Sequence, residues 1–205
     1  IGGRNRFGTA VAISQEGWET SDYVVLARGD EFADALAGVP LAYSLDAPIL
    51  LTHSNRLPDS TRQEIIDLKA KNVIILGGEG AISKAVENDL VKMGLTIDRI
   101  NGANRYDTAG QIAKRMKAAG TYKGKIIVAS GSDFPDALAA SAYAARLGYP
   151  IILCPNNRIP SASQSAIDEL NPEAAYVLGG PTIINDGVMD KLPSPKRIYG
   201  KNRYG

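Results

Sequence analysis

One ten-residue stretch restricts what this chain can fold into more than any other feature: Ile100-Asn101-Gly102-Ala103-Asn104-Arg105-Tyr106-Asp107-Thr108-Ala109. It occurs earlier as Ile1-Gly2-Gly3-Arg4-Asn5-Arg6-Phe7-Gly8-Thr9-Ala10 and starts again as Ile198-Tyr199-Gly200-Lys201-Asn202-Arg203-Tyr204-Gly205. A Gly-x-Asn-Arg-aromatic core recurring at a spacing of about 100 residues is an internal repeat, and each copy is one structural unit. The chain divides into a first module over residues 1–101, a second over 102–199 and the opening of a third at 200–205.

The repeat continues between these marks. Tyr23 to Ala37 aligns with Lys125 to Ala139, including Gly29 with Gly131 and the shared Phe-x-Asp-Ala-Leu-Ala of Phe32 and Phe134. Pro48-Ile49-Leu50-Leu51 aligns with Pro150-Ile151-Ile152-Leu153, and Leu76-Gly77-Gly78 with Leu178-Gly179-Gly180. Short apolar runs at 23–27, 48–52, 72–76 and 97–100 read as strands. Helices are expected from about Thr9 to Gln15, Phe32 to Leu45, Pro58 to Lys69 and Ile82 to Met93. In the second module a helix from Thr108 places Ala109, Ile112, Ala113 and Met116 on one face. Strands there are expected near 126–129, 151–153, 175–178 and 197–199. Alternating helices and two-sided apolar strands predict an α/β fold: tandem Rossmann-like modules, each a parallel sheet flanked by helices.

The charge balance, 23 basic against 22 acidic residues, carries no overall nucleic-acid footprint. No apolar run reaches the length of a membrane span. The one cysteine, Cys154, excludes an intrachain disulfide. It aligns with Thr52, while the one histidine, His53, aligns with Pro155, so the modules share no Cys/His dyad. Metal-ligand spacing, a nucleophile elbow and a P-loop are also missing from the sequence. Gly77-Gly78-Glu79-Gly80 resembles half a dinucleotide fingerprint, but it follows the third strand and the second module has Gly179-Gly180-Pro181-Thr182, so it reads as a tight turn. Asp34 and Asp136 are expected to complement helix dipoles, with Asp30 and Ser132 as helix caps. The chain is not expected to be an enzyme or to hold a cofactor.

The repeated arginines remain. Arg6, Arg105 and Arg203 occupy one position in every copy, beside Asn5, Asn104 and Asn202 and, in the second copy, Tyr106. Arg99 and Arg197 also match. These residues fit two roles, a joint between modules and a site for an anion, since guanidinium pairs bidentately with phosphate and carboxylate.

The four ordered motifs, present in duplicate across the whole chain, resemble the type 2 cell-wall-binding repeat of clostridial and related Gram-positive surface proteins. The resemblance implies a secreted protein of the cell wall and cell surface. It implies a non-catalytic anchor that binds an anionic secondary wall glycopolymer, as S-layer-associated proteins do, with activity carried by another domain. It also implies three repeats in a pseudo-threefold arrangement, so a further module or a homo-oligomer is expected as partner. A purely structural surface-layer scaffold and a wall hydrolase are the competing readings.

Overall fold

The structure, a computed structural model, describes residues 1–201. In chain order the first module contains α1 (Arg6–Gly17), β1 (Tyr23–Arg28), α2 (Ala33–Ser44), β2 (Ile49–Thr52), α3 (Asp59–Asp67), β3 (Asn72–Leu76), α4 (Lys84–Lys92) and β4 (Thr96–Ile100). The second contains α5 (Arg105–Ala118), β5 (Lys125–Ser130), α6 (Pro135–Leu147), β6 (Ile151–Cys154), α7 (Ser161–Leu170), β7 (Ala174–Leu178), α8 (Asp186–Met189) and β8 (Lys196–Ile198). Each module forms one parallel sheet, ordered β2-β1-β3-β4 and β6-β5-β7-β8. The registers match as well: Val25 faces Ile49 across the first sheet, and Ile127 faces Ile151 across the second.

The apolar runs are strands because both of their faces are covered. Val24, Leu26, Val73 and Ile75 point into a cluster with Ile65, Ile82, Val86 and Leu90. Their neighbours Val25, Ile74 and Leu76 point the other way, onto Leu36, Ala37 and Leu41 of α2. In such a doubly wound order the chain reverses direction between β1 and β3, which opens a crevice beyond the C-terminal strand ends.

The two modules share a core. One cluster joins Ala37, Leu41, Ile74 and Ile100 of the first module with Ile112 and Met116 of α5, Ala137 and Ala144 of α6, and Ile151 and Leu153 of β6. The small-residue face of α2, with Ala33, Ala37 and Ala42, packs on its own sheet and also admits α5 and α6. Side chains from the Ile-Leu-Leu segments line these cores, Leu50 in the outer cluster of the first module and Ile151 and Leu153 at the joint.

Two local expectations need correction. Helices α1 and α5 begin at Arg6 and Arg105, not near Thr9 and Thr108, because Asn5 and Asn104 cap them. The residues at the cap positions of α2 and α6 are Phe32 and Phe134, neither of which makes a side-chain capping bond. Asp30 is engaged elsewhere, accepting from Arg28 Nη2 at 2.7 Å.

Candidate functional site

The repeated motif is a staple at the start of a helix. The Gly102 N–H donates to Thr108 Oγ1 at 3.2 Å, and the Ala103 N–H donates to Asp107 Oδ2 at 2.9 Å. Asn104 Oδ1 accepts from the N–H groups of Tyr106 and Asp107 at 3.0 and 3.2 Å, satisfying donors that a helix start leaves open. In the first copy the Gly3 N–H donates to Thr9 Oγ1 at 3.0 Å, and Asn5 Oδ1 accepts from the Gly8 N–H at 3.0 Å. Arg105 Nη1 donates to the Gly131 carbonyl at 2.8 Å, as Arg6 Nη1 does to the Gly29 carbonyl at 2.8 Å. Each aromatic ring packs against the same glycine. A Cβ on Gly131 would fall 2.5 Å from Tyr106 Cε1, and one on Gly29 would fall 2.7 Å from Phe7 Cε1. The partner roles of Thr9, Thr108, Gly29 and Gly131 were not assigned from sequence, although their recurrence at fixed positions was the available signal.

Arg105 has a second task. Its Nη2 lies 3.3 Å from Glu31 Oε2 of the first module, and its guanidinium stands 5.7 Å from the Phe32 ring centre. Arg6 makes no ion pair among the described residues. Asn202 and Arg203 lie outside the described residues.

Arg99 and Arg197 tie sheet edges to helices. Arg99 donates to the Gly77 carbonyl at 2.8 Å and to Glu87 Oε2 at 2.7 Å. Arg197 donates to the Gly179 carbonyl at 2.7 Å and to Asp186 Oδ1 at 2.8 Å. Hydrogen bonds from Lys84 and Arg99 hold the Glu87 carboxyl below the ordinary glutamate range. A depressed folded pKa contributes stability above the unfolded value, and that contribution is lost as pH falls through the folded value. Urea unfolding of Glu87→Gln should therefore show a loss of about 1–3 kcal/mol at pH 7. The difference from the parent should shrink as pH falls below about 4.5. A constant difference from pH 7 to 3 would contradict this role.

At the crevice of each sheet the same parts surround an open cleft. The first, of about 350 Å³, is lined by Glu31 and Asp34 before and within α2, by Gly78 and Gly80 after β3, and by Gly102, Asn104 and Arg105 of the next motif. The second, of about 380 Å³, is lined by Asp133 and Asp136, by Gly180 and Thr182, and by Gly200 and Lys201. Asp34 makes no hydrogen bond among the described residues, and its Oδ1 is sealed from solvent without a partner. Burial pushes its carboxyl up, Arg105 opposes that shift and Glu31 adds to it.

The two residues best known for nucleophilic chemistry stand apart from these clefts. Cys154 is buried at the end of β6, where desolvation pushes its thiol up to about 12 and leaves it a poor nucleophile at neutral pH. The His53 ring lies tilted against Phe7, with centroids 4.3 Å apart, and its Nε2 is 3.1 Å from Arg56 Nη2. Among the described residues, no group of three or more His, Cys, Asp and Glu could hold a metal ion. No helix among them is long and apolar enough to cross a membrane.

Tandem parallel α/β modules, joined through one core and stapled by a shared motif that walls an open cleft, define a repeat-built binding module. The chain belongs to the cell wall binding domain 2 family, whose model matches residues 1–87 and 99–189. It is 42% identical to the N-acetylmuramoyl-L-alanine amidase LytC of Bacillus subtilis, aligning over 100% of this chain and 40% of that protein. It is 38% identical to the amidase enhancer of the same organism, over 98% of this chain and 27% of the other. Among solved structures it superposes on Cwp6 from Clostridium difficile with a TM-score of 0.92 at 32% identity, covering 99% of this chain and 33% of that one. For Cwp8 from the same organism the TM-score is 0.86 at 31% identity, covering 98% and 35%. The chain thus spans less than half of each of these relatives. Family membership makes it a cell-wall-binding module and, with its relatives, places it among secreted, surface-located proteins.

Proposed function

We propose that this chain is a non-catalytic anchor that holds a surface protein on a Gram-positive cell wall by binding an anionic secondary glycopolymer in its clefts. The observation that carries this reading is the recurrence of one cleft, built from matching residues, at the same place in both modules. Two weak sites at a fixed separation suit a repeating ligand, because the second contact forms at high effective concentration. Arg105 is half exposed and its pair with Glu31 is long, so the guanidinium can turn to an anion at little cost. Arg203, at the matching sequence position, is assigned the same part at the second cleft, whereas Arg6 lines neither cleft. Asn5, Asn104 and Tyr106 hold the arginine loop in shape, Asn202 stands at the matching sequence position, and Arg99 and Arg197 fix the glycine turns beside the clefts. The likeness to a wall amidase supports an anchoring role, because the alignment leaves 60% of that protein to other work.

The anchor is completed by a further repeat. Tyr143 on α6 is 51% exposed and Tyr199 64%, whereas Leu41, which stands where Tyr143 does in the first module, is 1% exposed under α5. The helix that opens a third repeat would cover α6 as α5 covers α2.

Sedimentation with purified walls tests the reading. Binding should weaken as salt rises and vanish after acid extraction of the secondary polymers. Arg105→Ala should bind about tenfold more weakly at low salt, and a chain extended by a complete third repeat should bind more tightly. Salt-independent binding, or full binding to extracted walls, would rule the anionic polymer out.

A further inference from the structure

The clefts contain an acid that neither the joint nor the charge of the ligand explains. Asp34 stands in the first turn of α2, above the glycine that ends β3. A Cβ on Gly77 would fall 2.7 Å from Asp34 Oδ2, and Gly77 has φ +99°. The second module repeats the arrangement: a Cβ on Gly179 would fall 2.6 Å from Asp136 Oδ2, with φ +88°. Both modules thus keep a left-handed glycine turn that leaves room for a carboxylate.

That carboxylate does little for the fold. An orphaned buried acceptor costs about 1–3 kcal/mol, more than the 0.3–1 kcal/mol a charge usually contributes at a helix start. The room beside Asp34 is walled by Gly102 and by Gly78, where an added Cβ would meet nothing nearer than Asn101 Nδ2 at 3.9 Å. A phosphate or carboxylate is disfavoured against Asp34 and Glu31 and belongs at Arg105. What suits Asp34 is a neutral group that donates hydrogen bonds. With no third acid to complete a metal site among the described residues, a sugar hydroxyl fits better than a cation.

Resting on the anchoring function above, we propose that Asp34, through Oδ2 and not the sealed Oδ1, and Asp136 accept hydrogen bonds from hydroxyls of a sugar ring in the wall polymer. The first cleft then reads the sugar as well as the charge, with the anionic group at the Arg105 side and the ring hydroxyls at the Asp34 side.

The test compares the parent chain with Asp34→Ala/Asp136→Ala, since one intact cleft would mask the loss of the other. The double variant should melt at or above the parent temperature, because a buried carboxylate without a partner has gone. It should bind purified walls at least about tenfold more weakly. Walls oxidised with periodate, which cleaves vicinal diols and leaves phosphodiesters intact, should bind parent and variant equally weakly. Two outcomes overturn the proposal: undiminished binding by a folded double variant, or a melting temperature several degrees lower with unchanged binding per folded molecule. Failure of the parent chain to bind untreated walls would instead reject the anchoring function.

Discussion

Replacing Gly102 with alanine should lower the melting temperature by about 10 °C, from a loss of about 3 kcal/mol in a chain of this size. Gly102 does not need a left-handed backbone; it needs space. A Cβ there would fall 2.6 Å from the backbone carbon of Asp107, in the first turn of α5. Backbone cannot rotate aside as a side chain can. The loop would have to lift, breaking the bonds from Gly102 to Thr108 and from Ala103 to Asp107. Gly3 meets the same obstacle, 2.6 Å from the Gly8 carbonyl oxygen, so the glycine of the motif answers to one steric demand in both copies. Gly17 is the control. It ends α1 with open space around its Cα, and Gly17→Ala should be neutral or stabilising by up to about 1 kcal/mol. Melts of both variants by circular dichroism would decide the matter, and equal behaviour would remove the staple from the account of stability.

Ile112→Asp should be more damaging, costing about 4 kcal/mol or more. Ile112 is sealed in the cluster where α5 meets the first module, alongside Met116 and Leu41. An ionised carboxylate there finds no partner. The joint rather than either outer core should fail first, because the clusters around Ile75 and Ile152 do not contain this residue. The expected signature is a broadened or two-step thermal transition, with dye binding to the newly exposed faces before the outer cores melt. A single sharp transition near the parent temperature would mean that the shared cluster contributes little.

Much of this architecture was legible in the sequence because parallel strands buried on both faces leave near-continuous apolar runs. Asn72–Leu76 was read to the residue, and the other strands within a residue or two. The starts of α1 and α5 were misplaced because Arg6-Phe7-Gly8 carries no helical pattern; the helix there depends on the Asn5 cap. The shared core was hidden for a different reason. Small residues such as Ala37 and Ala42 pack equally well on one neighbour or between two, and sequence does not say which. The arginines showed their charge but not their partners. A carbonyl such as that of Gly131 leaves no mark on side-chain pattern, and Glu31 is distant in the chain.

The placement of the motif also fixes how the number of clefts grows. The first cleft takes one wall from residues 31–80 and the other from residues 102–105, while the second joins residues 133–182 to Gly200 and Lys201. A repeat therefore carries the back half of one cleft and the front half of another. Clefts are counted at seams, not at modules, so a cut at a seam removes a whole cleft while leaving both neighbouring sheets intact. Lengthening the array by one repeat adds one complete cleft.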